Sequence, residues 1–383
     1  MDFSWTEEQE SLRQELIRFA RERLNRDLLE RDAQGSFSRN LWVECAKVGV
    51  QGLPIPEEYG GQGADALTTV VALEALGYGC RDNGLLFSLN AHMWSGAMPI
   101  ARFGTEEQKR RYLPGLCDGT LIGVQGMTEP GSGSDAFSLK TTAEIRGDSV
   151  VLNGSKTFIT NAPVADLFVI FASTRPSAGP LGISAFIVEA GTPGLEISPP
   201  MSKMGLRTSP TGELYFDNCV IPAENLLGRP GNGMAIFNHS IDWERGCILA
   251  TAVGAMQRQL EQVIAYAKDR QQFGQPIAAF QAVSHRIAEM EVRLQASRML
   301  LYKAAWAKDR EGGNTTPLES AEAKLFISEA WVQSSLDAIQ IFGGTGYMTE
   351  SEVERDLRDA IASRIYSGTS EIQRNIIAKS LGL

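Results

Sequence analysis

Apolar positions along this chain of 383 residues change their period twice. Up to about residue 120 they recur every three or four residues, the spacing of a helix face laid on a core. Leu12, Leu16 and Phe19 make the first such stripe, with Ser4 and Thr6 as candidate N-caps. A break rich in Pro and Gly covers Ile55–Gly61, helical spacing resumes from Leu67 to Leu76, and Thr105 reads as another N-cap. Over 121–231 the pattern becomes that of short strands. Thr141–Ile145 and Val150–Leu152 flank Arg146-Gly147-Asp148, a hairpin-like turn, and Leu167–Phe171 and Ile183–Val188 are β-rich runs between Gly, Pro and Ser clusters. From 232 the helical period returns. Leu249, Val253, Met256, Leu260 and Val263 form one stripe, Phe280, Val283, Ile287, Met290 and Leu294 a second, and Leu325, Trp331, Val332, Leu336 and Ile339 a third. These read as bundle-packing faces. The expectation is an α+β chain in three zones: 1–120 helical, 121–231 a small β barrel or sandwich, and 232–383 a helical bundle.

Composition narrows the classes. With 43% hydrophobic and 21% charged residues the chain reads as an ordinary globular protein. Net charge is −10 and no Lys/Arg block stands out, so nucleic acid is excluded as a partner class. No run is long and apolar enough for a membrane span, and Met1-Asp2-Phe3-Ser4 lacks the basic and apolar regions of a signal peptide. Cys45, Cys80, Cys117, Cys219 and Cys247 are scattered and odd in number, which fits reduced thiols in a cytoplasmic protein. His92, His239 and His285 are not clustered with cysteines, so no metal site is expected.

Several strings could carry chemistry. Thr128-Glu129-Pro130-Gly131-Ser132-Gly133-Ser134-Asp135 is dense in glycine and hydroxyls, so a ligand could approach its backbone amides; a solvent-facing loop is the plain alternative. Next come Lys156–Asn161, Lys203–Arg207, Arg270–Ile277, Phe342–Tyr347 and Tyr366–Gln373. Each is weak alone. In this order, within an α–β–α layout, they resemble the acyl-CoA dehydrogenase family over essentially the whole chain.

The resemblance implies an N-terminal helical domain, a central small β-barrel and a C-terminal four-helix bundle. It also implies a homotetramer with one FAD per subunit. Met127, Thr128, Gly133 and Ser134 should line the isoalloxazine and the thioester arm. Phe158, Ile159 and Thr160 should flank the ring, with Phe158 where many relatives carry Trp. Arg270 and Phe273 resemble the pair that reaches a neighbouring subunit's FAD, and Gln340, Gly343 and Gly344 the segment that approaches it closely. Thr369 and Glu371 open the last helix, whose N-terminus favours anions. The implied reaction is α,β-dehydrogenation of an acyl thioester, with a carboxylate as base and a hydride passing to flavin N5.

The base is the point of divergence. Many members carry it as Glu in Tyr-Glu-Gly-Thr, but here the string is Tyr366-Ser367-Gly368-Thr369. A serine hydroxyl cannot be that base near neutral pH. The isovaleryl and long-chain branches, and the prolyl dehydrogenases of natural-product pathways, resemble this chain in placing the base on an earlier helix before an Arg, as in Glu244-Arg245; a solvated helix-face carboxylate is the alternative. Ser367 is then expected to give its backbone N–H to the thioester carbonyl. Ser134, Trp94, Arg245 and Tyr366 are the expected substrate contacts, although Trp94 reads equally as helix core. A short, branched or cyclic acyl group is implied, on coenzyme A or on a carrier protein, including the prolyl dehydrogenases of natural-product pathways. Electron-transfer flavoprotein or oxygen would take the electrons. A flavin monooxygenase or oxidase, and a silent scaffold, are the competing classes.

Overall fold

The computed structural model describes residues 5–383, so the proposed cap Ser4 lies outside the described residues. The N-terminal zone folds as α1 (Glu7–Arg23), α2 (Leu28–Gln34), α3 (Arg39–Lys47), α4 (Ala66–Gly79), α5 (Asn83–Ala91), α6 (Met98–Phe103) and α7 (Glu106–Cys117). Thr6 and Thr105 each close a capping box, with Gln9 and Gln108, which satisfies backbone donors that a helix start leaves orphaned. Between α5 and α6 the chain makes a π-helical turn, His92–Ala97.

The middle zone holds β1 (Gly123–Gly126), β2 (Thr142–Arg146), β3 (Ser149–Thr160), β4 (Leu167–Ser173), β5 (Ile183–Glu189), β6 (Leu195–Ile197), β7 (Thr211–Pro222) and β8 (Leu226–Leu227). Their order is β6-β7-β3-β2-β4-β5-β8, with β1 running parallel to β4. The expected hairpin is present, pairing Arg146 with Ser149 around Gly147 at φ 57°. Among the described residues the ladder path is open from β6 to β8. Every residue of β4 is buried, because helices or strands cover both of its faces.

The C-terminal zone is α8 (Gly233–Cys247), α9 (Ala250–Asp269), α10 (Gln281–Arg310), α11 (Pro317–Phe342), α12 (Val353–Ser363) and α13 (Ser370–Ser380). The α9 stripe is buried throughout, and the α10 stripe only at Met290 and Leu294. The α11 stripe needs correction: Leu336 is exposed, and the buried face runs through Ile327, Ala330, Trp331, Ser334, Ala338 and Ile341. Small residues there let helices approach closely, and the apolar pattern does not register them. Glycine does the same between α4 and α9. A Cβ at Gly77 would lie 2.0 Å from the Thr251 carbonyl oxygen, and one at Gly254 2.1 Å from that of Glu74. One buried apolar cluster runs from α1 through the sheet to α12, so the helical layers and the β layer share a core.

Candidate active site

Where the layers meet lies a cleft of about 640 Å³, walled by residues of α5, β3, α8, α12 and the loops before β7 and α13. That size falls within the range typical of cofactor and small-molecule sites. Glu244 stands in its wall, in the last turn of α8 rather than near the start of a long helix, because α9 opens separately at Ala250. The carboxylate is buried and burial pushes its pKa above the usual range. Two hydroxyls oppose that push: Ser367 Oγ donates to Oε1, and Ser95 Oγ donates to Oε2 at 3.0 Å. A buried carboxyl with a raised pKa in a cleft is the environment a general base needs.

The turn before α13 is held from below by cations. Ser367 and Gly368 sit at φ 56° and 88°. Arg245 Nε donates to the Ser367 carbonyl at 2.8 Å, and Lys324 Nζ to the Gly368 carbonyl at 2.8 Å. Gln373 Nε2 donates to both, at 3.2 and 2.8 Å. A Cβ at Gly368 would meet the Arg245 guanidinium at 3.1 Å, so a side chain there would press on this clamp. Burial brings Lys324 down to about 7. Among the described residues the Ser367 N–H has no acceptor, which leaves it free for a ligand. Tyr366 packs against Phe87, ring centres 4.7 Å apart, and both line the cleft.

The opposite wall comes from the β layer. Met127, Thr128, Gly133, Ser134, Phe158, Ile159 and Thr160 all line the cleft. The glycine-rich loop is not a free solvent loop at its root. Glu129 is buried and accepts from Lys156 Nζ at 2.8 Å and from the amides of Lys140 and Thr141 at 2.6 and 3.0 Å. Further along, Cβ atoms at Gly131 and Gly133 would meet nothing within 4 Å. Phe158 lies on a bulge of β3 at φ 58° and is 65% exposed. Leu206, also on the cleft wall, has φ 49°. Non-glycine residues rarely hold this conformation, and those that do cluster at functional sites. An aromatic plane offered to solvent, in the same cleft as open glycine backbone, fits a flat heterocycle; the ring portion of FAD matches these residues.

The remaining candidates fall elsewhere. Trp94 does not line the cleft. It is fully buried, donates to Asn90 at 2.9 Å and stacks on Trp243 at 5.8 Å, so it is helix core behind Glu244. Arg270, Phe273, Gln340, Gly343, Gly344 and Glu371 are exposed away from the cleft, Phe273 by 93%. Thr369 lines it and caps α13 through Ile372 N at 3.4 Å. Ser95 and Lys324 escaped the sequence reading. A fully buried lysine amid Ala321, Ala323 and Ile327 could have signalled the second; nothing in the linear pattern marks the first. No group of acidic, His and Cys residues able to hold a metal occurs among the described residues, and no helix there is long and apolar enough to cross a membrane.

Known proteins carry the same three parts. Residues 6–120 match the acyl-CoA dehydrogenase N-terminal domain, 125–219 the middle domain and 231–382 the C-terminal domain. The chain is 48% identical to an L-prolyl-[peptidyl-carrier protein] dehydrogenase of Pseudomonas fluorescens over 91% of each sequence. It is 44% identical to one of Serratia over 100% of this chain and 99% of that one. Among solved structures, the prolyl acyl carrier protein oxidase AnaB superposes with a TM-score of 0.97 at 53% identity, covering 99% of this chain and 100% of AnaB. PigA with FAD and proline gives 0.97 at 44%, with both chains covered completely. The butyryl-CoA dehydrogenase of Megasphaera elsdenii gives 0.95 at 39% over the full length of both chains. With all three domains matched in order and a fold shared end to end, the chain belongs to the acyl-CoA dehydrogenase family.

Proposed function

We propose that the protein is an FAD-dependent dehydrogenase that oxidises a prolyl thioester carried on a carrier protein. The observation that carries the reaction type is Glu244: a buried carboxylate in the cleft wall, held by two hydroxyls, in the same cleft as the aromatic and glycine residues that fit a flavin ring. The prolyl group and the carrier come from likeness to relatives that bear those substrates in their names.

Met127, Thr128, Gly133, Ser134 and Phe158 to Thr160 would hold the ring, with Thr369 at the α13 N-terminus beside it. When bound, FAD takes up the hydride that leaves the substrate. The protein does the rest. Glu244 removes the proton α to the thioester carbonyl. The Ser367 N–H donates to the carbonyl oxygen as it gains enolate character, and Arg245 and Lys324 hold that turn in place. Phe87 and Tyr366 supply an apolar wall for a small ring, with Trp94 and Trp243 stacked behind the base. Arg270, Phe273, Gln340, Gly343, Gly344 and Glu371 serve the distal half of FAD across a subunit contact in a homotetramer, which accounts for their exposure in a single chain.

Anaerobic mixing of the flavin-loaded enzyme with prolyl-carrier protein, prolyl-CoA, isovaleryl-CoA and butyryl-CoA tests this. Bleaching is expected with the first and should be about 10²–10⁴-fold slower in Glu244→Gln with FAD still bound. Bleaching by a CoA thioester in preference to the carrier-bound prolyl group would overturn the substrate assignment. Readmitting oxygen or adding electron-transfer flavoprotein then identifies the acceptor.

A further inference from the structure

We propose that Ser95 is a positioning residue for the base, one half of a two-hydroxyl clamp whose other half is Ser367. This rests on Glu244 being the base. The two donors come from opposite ends of the chain and hold opposite oxygens: Ser95 on Oε2 at 3.0 Å, Ser367 on Oε1. A terminal carboxylate torsion is otherwise broad, so two separate anchors fix its plane. Each oxygen has two lone-pair sites, so a donor on each leaves room for the incoming proton.

The π-helical turn explains why Ser95 reaches the base. An α-helix advances about 100° per residue, and a π turn holds one extra residue, so residues within it, Ser95 among them, point differently than in a continuous α-helix. Three contacts hold the turn. The buried His92 accepts from the Gly123 amide at Nδ1 (3.0 Å) and donates from Nε2 to the Leu116 carbonyl (2.9 Å). Gly96 lies against β1, where a Cβ would come within 2.4 Å of the Gly123 backbone. Ser240, one helical turn before Glu244 on α8, donates to the Trp94 carbonyl at 2.7 Å. The helix that bears the base therefore also grips the turn that aims Ser95. Sub-ångström placement of a base matters, since a shift of about 1 Å can cost roughly 10²-fold in rate.

The clamp has a second consequence. Burial favours the neutral carboxyl, and a neutral Glu244 cannot take a proton. The charged or titratable groups that face it are Arg245 on its own helix, Lys324 on α11 and Tyr366 beside Ser367. The hydroxyls add donors that favour the charged form.

The test is the pH profile of anaerobic flavin reduction in Ser95→Ala, Ser367→Ala and the double variant. It is paired with the infrared carboxylic-acid band of Glu244, identified by its loss in Glu244→Gln. Each hydroxyl removed should move the acid limb, and the pH at which the band appears, up by about one unit. At pH values below the limb, reduction should be about 10-fold slower per hydroxyl, with KM little changed. A Ser95→Ala enzyme with profile and band unmoved overturns the clamp, even if its stability or flavin content falls. If Glu244→Gln itself reduces flavin at the wild-type rate, the base assignment fails independently of Ser95.

Discussion

Lys156→Met should loosen the root of the glycine-rich loop while leaving Glu244 untouched. Lys156 is fully buried, and its ammonium reaches both Glu129 Oε1 at 2.8 Å and the Met127 carbonyl at 3.2 Å. Methionine fills the same space without a donor, so Glu129 keeps its charge in a buried site. Removing one partner of a buried pair typically costs about 3–5 kcal/mol. The amides of Lys140 and Thr141 still donate to Glu129, at 2.6 and 3.0 Å, which places the expectation near the low end, about 3 kcal/mol. A loss of that size should appear as local opening of the segment. Amide hydrogen exchange is the assay, and the Lys140, Thr141 and Thr157 amides are the reporters, the last because it donates to the Thr128 carbonyl at 2.9 Å. At one factor of ten per 1.4 kcal/mol, exchange there should accelerate about 10²-fold, with α9 amides unchanged. Glu129→Gln combined with Lys156→Met should recover part of the loss by removing the stranded charge. The acid side gives a sign check. Lys156 and the surrounding amides outweigh burial and hold Glu129 below its usual range. Its contribution is therefore present above the unfolded carboxyl pKa and fades as pH falls through the lower folded value. Exchange at the reporter amides within about threefold of wild type would refute the view that this ion pair fastens the loop.

Two further outcomes follow from the cleft's other walls. Burial lowers Lys324 to about 7, so the unfolded chain binds more protons than the folded one from there up to the ordinary lysine range. Wild-type stability relative to Lys324→Met should therefore rise with pH across that window in denaturation experiments, and a flat difference would contradict it. Gly205→Ala would bring a Cβ within 2.2 Å of the Arg358 carbonyl oxygen and push the Lys203–Arg207 loop off α12. Flavin content should drop on gel filtration, while full retention would show that the loop yields without moving the cleft wall.

The linear pattern by itself settled much of this protein. Helical and strand periods marked the three zones because burial on one face repeats at 3.6 or 2 residues regardless of what lies opposite. The capping threonines, the Gly147 turn and the β-rich run of β4 were also legible, each from local residue chemistry. The ordered strings indicated the family, and Glu244-Arg245 with serine at 367 raised the expectation, carried into the proposal, of a base on the earlier helix. Tertiary structure decided what depends on packing between distant segments. Leu336 faces out while the buried face of its helix runs through alanine and serine, which carry little apolar signal, and Trp94 faces in, stacked on Trp243 and bonded to Asn90. Ser95 reaches Glu244 from within a π turn, and a π turn leaves no mark in composition or period. Burial of Glu244, Lys324 and Lys156 sets their proton affinities, and burial is a property of the assembled layers. Local periodicity names the elements; the desolvated contacts between them set how tightly a carboxylate holds its proton.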